Sequence, residues 1–371
     1  MTTTPRVLMG PGPSNPYPEV MSALASPLLG HLDPEFLAIL DEVNDRLRTA
    51  FVTANRLTLP VSGTGSAGME AAFVNVVGPG DVVVVGVNGL FGERMCDVAG
   101  RLGATVVRVE APWGQPLDME ALSAAHPDPS VIAVVHAETS TGVRNDVELL
   151  AGRADGSLLI VDCVTSLGGI PVDVEGWGID ICYSATQKCL GVPPGLAPLN
   201  VSARARSRFV HKPVSWYFDL DQISRYTDPA ESGPENRSLR VYHHTAPVSM
   251  VMALHAGLGV LLDEGLETSW ARHAMCGALL AEGLEKLGLE LLVAPESRLP
   301  QLTTVRVPPD LPVGMDEAAV RSELLRRYSI EIGSGVGPLA GKVWRIGCMG
   351  ATAKPDNVEL LLGGLAEVLA R

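Results

Sequence analysis

The sequence predicts an α/β fold in three layers: a large domain on a mostly parallel sheet, then a smaller C-terminal α+β domain. Three observations predict it. Short, β-branched apolar runs alternate with helix-spaced stretches through most of the chain. Those runs are apolar on both faces, as strands covered on both sides must be. From about residue 264 the alternation gives way to long helices with isolated strands between them. A chain of 371 residues, 46% hydrophobic and 19% charged, has ample apolar surface to bury in two such units.

The opening "MTTTPRVLMGPGPSNP" is too rich in Pro and Gly for regular structure and reads as an extended arm over residues 1–14. "PEFLAILDEVNDRLRTAF" spaces its apolar residues by three and four, which predicts a helix. "LTLPVSG" is a short apolar run in which Pro60 would fit a central strand poorly. "DVVVVGV", "TVVRVE", "VIAVVHAE", "SLLIVDCV" and "DICYSAT" predict the strands of the covered sheet, completing a large domain over 15–263. The small domain, 264–371, then reads as the helix "LETSWARHAMCGALLAEGLEKLG", a strand in "QLTTVRV", a helix around Met315–Arg327, a strand near "KVWRIG" and a closing helix.

Charge and composition narrow the partners. A net charge of −14 disfavours nucleic acid and anionic membranes, both of which need a cationic footprint. No apolar run reaches the roughly 18 residues of a membrane span, and Pro and Gly interrupt the N-terminus before a secretory core could form, so a cytoplasmic location is expected. The six cysteines form no C-x-x-C pair and read as reduced, mostly buried thiols. A small-molecule substrate is expected.

"VSGTGSAGMEAA" contains Gly63-Thr64-Gly65-Ser66-Ala67-Gly68, a G-x-G-x-x-G match, and a Gly-rich turn opening a helix holds phosphate on its free N–H groups. A nicotinamide reading needs an acid about 20 residues further on, at the end of the next strand, for the ribose hydroxyl. Here that strand ends in Asn88 and Gly89, so the pattern lacks its context.

In "YSATQKCLGVPPG", Lys188 follows a strand and precedes a Gly/Pro-rich loop with little polar company. It is either a plain loop cation or a lysine whose pKa falls on burial, the kind used to form Schiff bases. Asp162 in "SLLIVDCVTSLGG" ends an apolar strand, where ligands of open α/β sheets bind, or else caps a helix. Together a phosphate cradle, a lysine and an acid at neighbouring strand ends describe pyridoxal 5′-phosphate (PLP) chemistry: the lysine holds the aldehyde and the acid keeps the pyridine nitrogen protonated.

The chain resembles the class V, fold-type I PLP-dependent aminotransferases. The resemblance rests on ordered matches along nearly the whole chain: "GPGPSNP", "LLGHLDPEF", "LTLPVSGTGSAGMEAA", "VNGLFGER", "HAETSTGV", "LLIVDCVTSLGG", "DICYSATQKCLGVPPG", "VYHHTAP", "RLPQLTTV" and "GKVWRIGCMG". It implies a PLP fold-type I large domain and transamination between a small L-amino acid, alanine or serine, and a 2-oxo acid, glyoxylate or pyruvate. Lys188 would be the Schiff-base lysine and proton carrier, and Asp162 the partner of the pyridine nitrogen. Val164 would pack beneath the ring, with Phe91 stacked on it and Ser140 beside its phenolic oxygen. Thr64, Gly65, Ser66 and Gln187 would hold the phosphate, joined by Tyr242 and Thr245 of a second subunit in a homodimer with shared sites. Arg345 would grip the substrate carboxylate through a bidentate fork, and Gly12 and Ser140 would line the same subsite.

Two positions depart from the family pattern. Phe91 stands where the most similar members would carry a Trp stacked on the cofactor ring, and Ser66 replaces a His of their pattern. These put the amino-acid preference in question more than the reaction type. A 2-aminoethylphosphonate or phosphoserine aminotransferase is the alternative within the class, and an NAD-dependent oxidoreductase the alternative outside it. Cys348, in "WRIGCMG", reads as core rather than as the mobile persulfide-forming cysteine of a desulfurase.

Overall fold

The computed structural model describes residues 4–152, 156–228 and 240–370; the first three residues of the expected arm lie outside it. Its strands, in chain order, are β1 (Val7–Leu8), β2 (Leu57–Ser62), β3 (Val82–Val87), β4 (Thr105–Glu110), β5 (Val131–Val135), β6 (Ala137–Glu138), β7 (Val143–Arg144), β8 (Leu158–Asp162), β9 (Ile181–Tyr183), β10 (Leu196–Val201), β11 (Leu302–Arg306), β12 (Ile330–Glu331), β13 (Gly333–Ser334) and β14 (Val343–Gly347). The first helices are α1 (Pro18–Leu24), α2 (Pro34–Ala50), α3 (Gly65–Val74) and α4 (Leu90–Arg101).

The central sheet has seven strands in the order β2-β10-β9-β8-β5-β3-β4. Neighbours from β9 to β4 run parallel, while β10 runs antiparallel to both β9 and β2. Successive residues on a strand face opposite sides, so each strand supplies two cores. Val84, Ile132, Val134, Leu159 and Val161 pack under α2 and the helix Val248–Glu264. Val83, Val85, Val131, Ala133 and Ile160 pack under Met69 and Phe73 of α3 and Met95 and Ala99 of α4. Two apolar faces covered by helices are the three layers that the runs predict.

Two strands differ from expectation. "LTLPVSG" forms β2 despite Pro60, because β2 is the sheet's edge and lacks a neighbour on one side, where a missing N–H costs nothing. "TVVRVE" is β4, the opposite edge, and is half-exposed rather than covered on both faces. Its Arg108 forks onto Glu93 at 2.7 and 2.9 Å and reaches Glu110 at 2.7 Å.

A separate core surrounds the antiparallel sheet β11-β14-β13, where Trp344, Ile346 and Val305 meet Leu280, Leu324 and Leu361 of the helices Leu266–Lys286, Glu317–Tyr328 and Pro355–Val368. The helix Val248–Glu264 turns into Leu266–Lys286 through 86° at Gly265, whose φ of +87° is a conformation that favours glycine. The arm is not merely extended: β1 pairs in parallel with β12, and Met9 is buried in the second core. From there the arm crosses back, with the Ser14 N–H on the Gln187 carbonyl at 2.9 Å and the Ser14 hydroxyl on the Lys188 carbonyl at 2.7 Å. Five of the six cysteines are buried and Cys96 is half-buried, and all six are free thiols.

Candidate active site

The carboxyl ends of β2, β3, β5, β8 and β9 open on one side of the sheet, and the named residues collect there. Gly63, at φ +137°, turns the chain out of β2, and Thr64 is the extended N-cap of α3. The Thr64 hydroxyl caps no helix N–H, and the α3 N-terminus presents unused backbone donors and the positive end of its dipole. Thr64, Gly65, Ser66, Met69, Phe91, Arg94, Asp162, Val164, Gln187 and Lys188 line a cavity of about 140 Å³. Asn88, where a nicotinamide site would need an acid, donates instead to Asn145 and to the Gln115 carbonyl, both at 2.9 Å.

Asp162 ends β8 and is buried; its Oδ1 accepts from the Val164 N–H at 2.8 Å, and the Tyr183 phenol lies beside it. Burial raises its pKa to about 7. Lys188 lies beyond β9, the strand paired with β8, and is also buried. Burial, with the Arg345 charge behind it, lowers its pKa to about 8, so near neutrality much of the change needed for a nucleophilic amine is already made. Lys188 Nζ donates to the Pro11 carbonyl of the arm. A Cβ on Gly12, whose φ is +117°, would fall 2.7 Å from that Nζ, so only glycine lets the arm lie against the lysine.

Arg345 sits on β14, in the second core unit, and reaches across to the first. Its Nε donates to the Ser334 carbonyl at 2.8 Å and its Nη1 to the Thr139 carbonyl at 3.1 Å. Backbone carbonyls therefore aim the guanidinium, and among the described residues no carboxylate is within bonding distance of it, although the Glu138 charge acts on it from further off. Ser140 is held by Glu138, which sequence reasoning missed. The fully buried Glu138 carboxylate accepts from the Ser140 hydroxyl at 2.6 Å, the Ser140 N–H at 3.0 Å and the Phe91 N–H at 3.2 Å. Ser140 Oγ in turn accepts from the Leu90 N–H at 2.9 Å. Burial pushes the Glu138 pKa up, although these donors oppose the shift. Its only sequence signal is a lone acid inside an apolar strand end, "HAETSTG".

Arg94 was missed as well. It follows Phe91 by one helical turn, places its guanidinium 5.0 Å from the Phe91 ring centre and donates to Ser66 Oγ at 3.0 Å. By contrast, Tyr242 and Thr245 do not line the cavity of their own chain. Tyr242 is 56% exposed, its hydroxyl 3.3 Å from Thr245 Oγ1 and its ring against His31. The same segment is docked near the cradle, because His244 Nε2 lies 2.7 Å from the hydroxyl of Ser62 at the end of β2.

The donor set fits a phosphorylated pyridine aldehyde. A buried carboxyl would serve a ring nitrogen, a buried amine of lowered pKa would take the aldehyde, and a helix N-terminus with two hydroxyls would hold the phosphate. The Gln187 side-chain oxygen, in the cavity wall, is one of several buried side-chain polar atoms among the described residues that have no hydrogen-bond partner.

The family profile described as aminotransferase class-V matches residues 15–340. The chain is 40% identical to an alanine–glyoxylate aminotransferase of Callithrix jacchus, over 98% of this chain and 87% of that protein. It is 37% identical to an (S)-ureidoglycine–glyoxylate transaminase of Bacillus subtilis, over 100% of this chain and 92% of that protein. The crystal structure of an alanine–glyoxylate aminotransferase from Nostoc sp. superposes with a TM-score of 0.93 at 45% identity, covering 100% of this chain and 96% of that one.

Proposed function

The chain belongs to the class-V aminotransferases, which are PLP enzymes, and on that premise we propose that it moves the amino group of L-alanine or L-serine to glyoxylate or pyruvate. The observation that carries the reading is the convergence of Asp162, Lys188 and Arg345 on one buried site from three distant stretches of chain.

When bound, PLP supplies an electron sink for the pair left at the substrate Cα. Asp162 would hold the proton on the ring nitrogen, since an ionised carboxylate there favours the protonated ring. Gln187, Thr64, Gly65 and Ser66 would hold the phosphate. Arg345 binds the α-carboxylate, and its two backbone anchors fix the direction from which substrate enters. Lys188 Nζ would hold the cofactor's aldehyde carbon and, as a free amine, would take the proton from the substrate Cα. The arm at Pro11 and Gly12 closes over that amine and limits water beside it.

The proposal includes a homodimer. Val214, Trp216, Tyr217, Val241 and Tyr242 are exposed apolar side chains close together in two segments, and the Trp216 ring stacks on His243 at 4.3 Å. A patch of this kind fits a subunit interface. Across it Tyr242 and Thr245 would complete the partner's phosphate site.

The test is a half-reaction screen. PLP-loaded enzyme is mixed with L-alanine, L-serine, (S)-ureidoglycine, 2-aminoethylphosphonate and phosphoserine, and loss of the visible cofactor band is followed. Fast bleaching by alanine or serine, reversed by glyoxylate or pyruvate, supports the proposal. Bleaching by a phosphonate or phosphoserine alone overturns it.

A further inference from the structure

We propose that Arg94 is the counter-cation of the cofactor phosphate, held for that task by the Phe91 ring and the Ser66 hydroxyl. The inference rests on the PLP reading of the site and assigns a residue that the cradle otherwise lacks. A phosphate ester at the α3 N-terminus carries close to two negative charges at neutral pH. A helix end contributes only about half a unit of positive charge against them. Thr64, Ser66 and Gln187, the side chains of the cradle, are all neutral. Lys188 is committed to the aldehyde end and Arg345 to the substrate carboxylate.

Arg94 answers that imbalance. It lines the same cavity as Thr64, Gly65, Ser66 and Gln187. Its Nη1 donates to Ser66 Oγ at 3.0 Å, so the hydroxyl's own proton is left to point at another acceptor. A hydroxyl that accepts from a cation donates more strongly, which is the useful polarity toward phosphate. The guanidinium lies over Phe91 at 5.0 Å, a contact that holds it without neutralising it. Among the described residues no carboxylate is bonded to Arg94, whereas Arg101 and Arg108 on the same side of the molecule are both paired. Half-buried and unpaired, it has four further N–H donors to offer, in a planar fork suited to phosphate oxygens.

The test separates phosphate from ring. Binding of PLP and of phosphate-free pyridoxal to the cofactor-stripped enzyme is measured by absorbance titration for the wild type, Arg94→Gln and Ser66→Ala. Arg94→Gln should weaken PLP on the order of tenfold to a hundredfold, the scale of a hydrogen bond to a charged group. Pyridoxal should be unchanged within about twofold. Ser66→Ala should show the same selectivity to a smaller degree. The phosphorus-31 resonance of bound PLP should be independent of pH from 5.5 to 8 in the wild type and titrate in Arg94→Gln. Equal losses for PLP and pyridoxal would mean that Arg94 acts through the ring stack and would overturn the proposal. So would undiminished PLP affinity. A wild-type protein that captures neither ligand would refute the PLP reading itself, a distinct result.

Discussion

At the residue scale, the site runs on groups displaced from their ordinary ionisation. The Asp162 pKa is raised to about 7 by burial, so in the cofactor-free protein this carboxyl contributes stability below about pH 4 that is lost as pH rises through 7. Cofactor-free enzyme should therefore melt at falling temperature between pH 4 and 7. Asp162→Asn should flatten that slope, and PLP should flatten it in the wild type by giving the carboxylate its partner; an unchanged slope in both refutes the assignment. The Lys188 pKa, lowered to about 8, works in the other sense: its contribution is present above the usual lysine range and is lost as pH falls through 8. Covalent capture of PLP, read by borohydride fixation, should thus accelerate up to about pH 8 and level off. Arg345→Ala should cost about 2–5 kcal/mol in kcat/KM for alanine, as for truncating a desolvated charge pair. Arg345→Lys should recover little of it, because a lysine cannot reproduce the fork; full recovery would place the carboxylate elsewhere.

Elements act on this site through their ends. α4 begins where the Glu138 carboxylate receives the Phe91 N–H, so one buried acid sets the start of the helix carrying Phe91 and Arg94 and, by its other bonds, the rotamer of Ser140. Glu138→Ala should cost about 1–3 kcal/mol for each buried donor left without an acceptor. The denaturant midpoint should fall with an unchanged slope. PLP should also bind more weakly in that variant, since the stacking ring loses its anchor; Glu138→Gln, which keeps one acceptor oxygen and turns the other into a donor, should restore only part of either. Stability lost without any loss of PLP affinity would confine Glu138 to a structural role.

For the whole molecule, two core units meet over the site: Arg345 comes from the second, Asp162 and Lys188 from the first, and the arm ties to both. A homodimer with shared sites predicts complementation. Mixing Lys188→Ala and Tyr242→Ala subunits under exchange should create one site bearing both lesions and one bearing neither, with activity above either parent. PLP should then tighten the dimer, because it binds the assembled state. Exchange without recovered activity would return Tyr242 to its own subunit, and a fully active monomer in sedimentation would end the idea.

Periodicity and residue type carried far. Alternating short apolar runs marked the covered strands, three-and-four spacing marked the helices, and the order of cradle, acid and lysine marked PLP chemistry, because these signals are local and survive in one dimension. The reversed direction of β10 was not legible, since "LAPLNV" reads the same in either orientation and only its neighbours β2 and β9 orient it. Nor was the half-exposure of β4, which follows from its place at the sheet edge rather than from its composition. Glu138, Arg94 and Pro11 escaped for one reason: each acts on a residue remote in sequence, Glu138 on Phe91, Arg94 on Ser66 and Pro11 on Lys188. Burial explains the last difference. Asp162 and Lys188 carry ordinary side chains, and their displaced pKa values arise when folding removes the water around them, a property of the packed interior that no local spacing encodes.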